Sequence, residues 1–165
     1  MDSNLHAYHI YRITEFNYSF TTEAGIEYEC SFKSYEEYFR NYPAIASKVF
    51  ALDLYLINSK QKPSPGTDKR IADTIITIVG DFLNSMVNAV VYVCDTSDGR
   101  SRSRARKFKS WFKYYEHPSR QIIQLSTDME GGGITLYTAL LVHKKNKLKI
   151  QFINAYVELT DVEQK

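Results

Sequence analysis

Apolar and polar residues alternate through two neighbouring stretches: Phe16, Tyr18 and Phe20, then Ile26, Tyr28, Cys30 and Phe32. Period-two alternation buries one face of a strand, so the two stretches predict an antiparallel hairpin. Thr21 to Gly25 closes it, and Gly25 is free to take the positive φ such a turn needs. Tyr8 to Ile13 carries a weaker strand pattern. The period then changes. Ser34, followed three residues later by Glu37, has the form of a capping box, and Tyr35, Tyr38, Phe39 and Tyr42 repeat at helical spacing until Pro43. This predicts a short amphipathic helix laid against the hairpin, its aromatic stripe used for core packing. Alternation returns in Phe50, Leu52, Leu54 and Leu56, predicting a strand from Val49 to Ile57. A polar loop, Asn58 to Thr67, is punctuated by Pro63, Pro65 and Gly66. Thr67 or Asp68 caps the next helix, whose apolar stripe is Ile71, Ile75, Ile78, Val79 and Phe82.

The run Ala89 to Cys94 is apolar without interruption, as befits a strand covered on both faces. It meets an acidic turn, Asp95 to Gly99, and then a helix with Ser97 or Asp98 as cap. Ala105, Phe108, Phe112 and Tyr115 lie along one side of that helix, and Arg102, Arg106, Lys109 and Lys113 along another. His117-Pro118 ends it. Ile122 to Leu125 and Ile134 to Val142 are two further strands joined through Gly131, Gly132 and Gly133, and Asn146 caps a last helix bearing Leu148, Phe152, Tyr156 and Leu159. The expected architecture is α+β. One mostly antiparallel, twisted sheet carries helices packed on it, in a single domain spanning residues 1–165.

Composition narrows the setting. No apolar run approaches the roughly 18 residues of a membrane span. The amino terminus is polar and acidic, so no secretory signal is expected. Cys30 and Cys94 fall inside predicted strands and outside any CxxC pattern, which predicts buried, reduced thiols and a cytoplasmic protein. A net charge of only +2 argues against a strongly basic nucleic-acid binder. The charge is uneven, however, with a basic block from Arg100 to Lys113.

That block places the candidate chemistry at the strand-to-helix junction. Helix-start amides, the Ser97 hydroxyl and Arg100 suit a phosphate, and Asp95 suits a ribose hydroxyl or a metal. The alternative is structural: Asp98 caps the helix and Asp95 pairs with an arginine one turn on. The candidate ligand-binding set is Asp95, Ser97, Asp98, Gly99, Arg100, Arg102 and Arg106. Because the basic residues surround the helix, a nucleic-acid backbone is the less favoured partner. Cys94 with His117 or His143 as base is a weak nucleophile reading, since an apolar strand raises a thiol pKa. His6-x-x-His9 is too small a set for a metal site. No catalytic residue, metal or cofactor is assigned.

Four patches resemble an uncharacterised family of small bacterial proteins, mostly from the Bacteroidetes. They are Tyr18-x-Phe20-x-Thr22-x-x-Gly25-x-x-Tyr28-x-x-x-Phe32; Asp68-x-Arg70-Ile71-x-x-Thr74-Ile75; Cys94-Asp95-x-x-Asp98-Gly99-Arg100 through Trp111-Phe112; and Leu141 to Asn146. The resemblance implies a bacterial, cytoplasmic single domain and no particular activity. The element order is also similar to the core of GCN5-related N-acetyltransferases, in which a glycine-rich turn wraps the coenzyme A pyrophosphate with backbone amides. The corresponding region, Gly66 to Thr74, has Arg70 but no glycines after it, and Asp73 adds a negative charge there. No tyrosine stands near Phe108-Lys109, where that family's acid would fall; Tyr114 and Tyr115 come later. The leading expectation is therefore a non-enzymatic module binding an anionic small molecule or protein partner, as a monomer or homo-oligomer and away from membranes. A divergent acyl-coenzyme A N-acyltransferase and a nucleic-acid-associated toxin-antitoxin component are the alternatives.

Overall fold

The structure, a computed structural model, describes residues 6–58, 69–95, 121–131 and 134–161. Among them seven strands form one sheet in the order β1-β2-β3-β4-β5-β7-β6. The strands are β1 (Tyr11–Arg12), β2 (Asn17–Thr21), β3 (Glu27–Ser34), β4 (Val49–Asn58), β5 (Ala89–Asp95), β6 (Ile122–Gly131) and β7 (Ile134–His143). Two α-helices accompany them, α1 (Lys69–Leu83) and α2 (Lys149–Thr160). Every pairing is antiparallel except β4 with β5, so the α+β architecture is as expected.

The period-two stretches become β2 and β3, with Tyr18 opposite Cys30 and Phe20 opposite Tyr28. Gly25 does take a positive φ, 79°. The core-facing side chains of this hairpin pack with Ile75, Ile78, Val79 and Phe82 of α1 on one face of the sheet. Phe82 is the hub there. Its ring stacks on Phe32 at 3.9 Å and meets Phe50 edge-on at 5.3 Å, joining α1 to β3 and β4 at once. Tyr18 adds a polar tie, donating to Asp81 Oδ2 of α1 at 2.9 Å. Burial, and then the Asp81 hydrogen bond, push its phenol up to about 12, so it stays a donor at any ordinary pH.

A second core fills the opposite face, where α2 lays Phe152, Ala155 and Tyr156 on Ala89, Val91, Leu140 and Val142. β5 feeds both cores, Val90 into the first and Ala89 and Val91 into the second, which is why its sequence is apolar up to Cys94. Asn146 orders the entry to α2. Its Oδ1 accepts from Leu148 N at 2.8 Å and its Nδ2 donates to Asn88 O at 3.4 Å, tying the helix to the start of β5. The N-cap position itself falls to Leu148, two residues after Asn146, and not to Asn146 as expected.

Two expectations need correction. The segment after Ser34 is no α-helix but a 3-10 turn, Glu36–Phe39, followed by another at Ala46–Lys48. It packs Tyr35, Phe39 and Tyr42 into the α2-side core and not against the hairpin. Pro43 leaves too few residues to repay helix nucleation, and aromatic residues are mediocre helix formers. In addition, β6 runs to Gly131, beyond the expected end at Leu125. Its polar residues Gln124, Ser126 and Asp128 alternate with Leu125 and Thr127, and all pair with β7.

Removing the hub should be expensive. Phe82→Ala is expected to lower the unfolding free energy by about 3–5 kcal/mol, read from urea denaturation.

Candidate functional site

The candidate site follows from how β4 and β5 part. They pair over three residues only, Val49 with Ala89, Phe50 with Val90 and Ala51 with Val91. Beyond Ala51, β4 stays with β3 as far as Asn58, while β5 stays with β7 as far as Asp95. A wedge therefore opens inside the sheet. Among the described residues, the β5-facing edge of β4 from Leu52 to Asn58 has no strand against it. A register shift lies at the far end: Tyr28 faces Leu56 and Glu27 faces Asn58, leaving Ile57 unmatched. Such a bulge bends a strand and strengthens its twist.

The side chains at the wedge are unusual for an interior strand. Leu54, Tyr55, Leu56 and Ile57 are each 40–45% exposed, and Val93 on the β5 wall is 37% exposed. Four successive exposed apolar residues cover both faces of β4, since neighbours point to opposite sides. Exposed apolar surface of this kind marks a binding region more often than a bare wall. Tyr55 is held at its hydroxyl, which accepts from Lys33 Nζ and donates to Asp53 Oδ2 at 3.1 Å. Tyr55 is thus turned towards β3, with Lys33 Nζ 4.9 Å over its ring and paired with Asp53 at 3.4 Å.

Next to the wedge, on the α2 face, lies a cavity of 70 Å³. Val91 and Val93 of β5, Leu136 and Thr138 of β7, and Tyr156 and Leu159 of α2 line it, with Tyr35, Tyr38 and Phe39 of the 3-10 turn beside them. Thr138 and Tyr156 are buried and share a hydrogen bond. Thr138 Oγ1 also lies 3.5 Å from Thr127 O, and either hydroxyl can donate within the Thr138–Tyr156 pair. Burial raises the pKa of both Tyr156 and Tyr35, leaving neutral phenols.

The entrance of α1 is occupied by the chain's own residues. Arg70 donates through Nε to His6 O at 2.9 Å, pairs with Glu23 at 2.9 Å, and lies 3.9 Å over the Tyr8 ring. Asp73 accepts from His6 N through Oδ2, while its buried Oδ1 has no hydrogen-bond partner among the described residues. Thr74 Oγ1 accepts from Tyr8 N and donates to Arg70 O. The first turns of α1 thus anchor the segment ahead of β1.

Of the sequence-derived site, Asp95 closes β5, opposite Leu136. Ser97, Asp98, Gly99, Arg100, Arg102 and Arg106 lie outside the described residues, as do His117, Tyr114 and Tyr115. Cys94 stands opposite Tyr137, and His143 comes later on β7, about 20 Å away at ~3.3 Å per residue, too far to serve as its base. Cys30 is free and buried, and burial pushes its thiol up to about 12. His9 rests edge-on against Tyr11 at 4.5 Å. Among the described residues no three His, Cys, Asp or Glu gather as a metal site. No helix among them is long and apolar enough to cross a membrane. The wedge itself escaped sequence reasoning, because Leu52, Leu54 and Leu56 alternate like any buried strand.

Comparison with known proteins gives one match. A model described as a family of unknown function, DUF6169, covers residues 67–158. That span takes in α1, β5, β6, β7 and most of α2. It includes three of the four resembling patches and leaves out the hairpin one. No curated protein and no solved structure matches the chain.

His143 makes the fold sensitive to acid. It is buried at the end of β7, and its Nδ1 accepts from Lys145 N at 3.0 Å, which requires an unprotonated nitrogen. Burial and then the Lys145 charge lower its pKa below the ordinary 6.5. The unfolded chain binds this proton more readily, so stability is full above about pH 6.5 and declines as pH falls towards the folded-state value. Urea midpoints measured from pH 7.5 to 5 are expected to fall, and His143→Gln is expected to flatten that slope.

Proposed function

The chain belongs to the DUF6169 family of unknown function, and on that premise we propose from its geometry that it binds an extended anionic ligand in the wedge between β4 and β5. One observation carries the reading: β4 and β5 pair over three residues, and the edge of β4 beyond them faces no described strand. An unpaired edge offers N–H and C=O groups in alternation, and a ligand with amides along an extended arm adds to it as a short strand would. The exposed Leu54, Leu56, Ile57 and Val93 give that arm apolar flanks. The anionic end falls to Asp95, where β5 ends, and to residues that follow it in the sequence: Ser97, Asp98, Gly99, Arg100, Arg102 and Arg106. A cytoplasmic bacterial setting is part of this proposal.

An acyl-coenzyme A has both parts, an amide-bearing arm and a phosphorylated end, so it is the ligand class we assign. The sheet order and the single short parallel pair also favour the N-acyltransferase reading as the second one. Its weak point is the phosphate grip. No glycines follow Arg70, and Arg70 is engaged by His6, Glu23 and Tyr8. The basic residues beyond Asp95 are therefore proposed to take the phosphates in its place.

Calorimetry on the full chain tests this with three probes: acetyl-coenzyme A, its adenosine bisphosphate end alone, and pantetheine alone. Acetyl-coenzyme A is expected to bind with Kd tighter than about 1 mM, or roughly 4 kcal/mol, and more tightly than either fragment. Leu56→Glu should weaken the arm-bearing ligands, and Arg100→Ala those bearing phosphate. If the nucleotide fragment alone binds as tightly as the whole, the protein is an anion module without a wedge ligand. If nothing saturates, the reading fails.

A further inference from the structure

The cavity beside the wedge bears on what the bound ligand carries at its reactive end. It shares Val93 with the β5 wall of the wedge, so an arm lying along β4 and β5 has the cavity at its side. Among the described residues, none of those lining it is charged. Its two buried hydroxyls, of Thr138 and Tyr156, are already hydrogen-bonded to each other. A hydroxyl pair already bonded to itself is a poor partner for a charged group, and no charged side chain lines the cavity to offset that group's desolvation. A carboxylate or an ammonium would therefore lose its hydration with no ion pair from the lining in return. An aliphatic group loses only contact with water, and gains the walls of Val91, Val93, Leu136 and Leu159.

Size sets the second limit. A water needs about 10–15 Å³ of such space, so 70 Å³ takes roughly five groups of that size. From these three features, and resting on the wedge reading above, we infer that the cavity receives a short, uncharged, aliphatic acyl group, of about four or five carbons. Longer chains and acyl groups ending in a carboxylate are excluded. Leu159 at the α2 side and Val93 at the wedge side set the length.

Two measurements on the full-length protein separate this inference from the reading beneath it. The first is equilibrium binding of coenzyme A thioesters, from acetyl to decanoyl, with succinyl as the charged member. Affinity is expected to rise to butyryl or valeryl, to fall about tenfold or more at decanoyl, and to be lowest at succinyl. Val93→Phe should move the optimum to acetyl, and Leu159→Ala to longer chains. A flat profile, or one that neither variant moves, overturns the inference while leaving the wedge reading intact. The second measurement needs no coenzyme: methyl NMR of the free protein titrated with pentanamide and with pentylammonium. Shifts at the Val93, Leu136 and Leu159 methyls with pentanamide alone support the cavity even if no thioester binds. Absence of those shifts, or equal shifts with the ammonium, overturns it.

Discussion

The pairing of Val49, Phe50 and Ala51 with Ala89, Val90 and Val91 is the contact on which the rest of the structure depends. It joins the β1–β4 half of the sheet to the β5–β7–β6 half. Its side chains enter both cores, with Phe50 and Val90 on the α1 face and Val49, Ala89 and Val91 on the α2 face. Parallel strands need a crossover, and α1 provides it with an apolar stripe already matched to the hairpin. Fixing the two halves at one end and bending β4 at its Ile57 bulge leaves the other end apart. The wedge is thus a consequence of where pairing stops.

Leaving a sheet open carries a cost in water. Unpaired strand groups invite pairing with other chains, and Leu54 to Ile57 add exposed apolar surface next to them. Folds usually close such an opening or use it. Here the opening lies between the end of β4, the end of β5 and a cavity with no charged lining residue among those described. The entrance of α1 is a counter-example at close quarters. Arg70, Asp73 and Thr74 look like ligand-binding residues in isolation, yet hydrogen bonds to His6 and Tyr8 turn them into an anchor for the chain ahead of β1.

Much of the fold could be read from the residues because local period and global burial agree. The alternation of Tyr18, Phe20, Tyr28, Cys30 and Phe32 found the hairpin, and Ile75, Ile78, Val79 and Phe82 found α1. The uninterrupted run at β5 announced a strand with a core on each side. Where reading failed, the deciding energy was not local. Tyr35 to Tyr42 has helical spacing, but a segment that short follows its tertiary contacts, which draw it to the α2 face. Polar residues on one side of β6 disguised a strand that its β7 partner holds to Gly131. Of the candidate site, only Asp95 falls among the described residues. The wedge was invisible because Leu54 and Leu56 continue the pattern of Leu52. Only the departure of a partner strand distant in sequence exposes them.

Amide hydrogen exchange along β4 tests the open edge most directly. Amides from Leu52 to Asn58 alternate between the β3 side and the wedge side, so one alternate set has a strand partner and the other has none. The account predicts slow exchange in the β3-facing set and fast exchange in the wedge-facing set of the free protein. Phe50 and Ala51, paired on both sides, should be slow. Uniformly slow exchange from Leu52 to Asn58 would mean that another part of the chain already fills the edge, and would contradict the account.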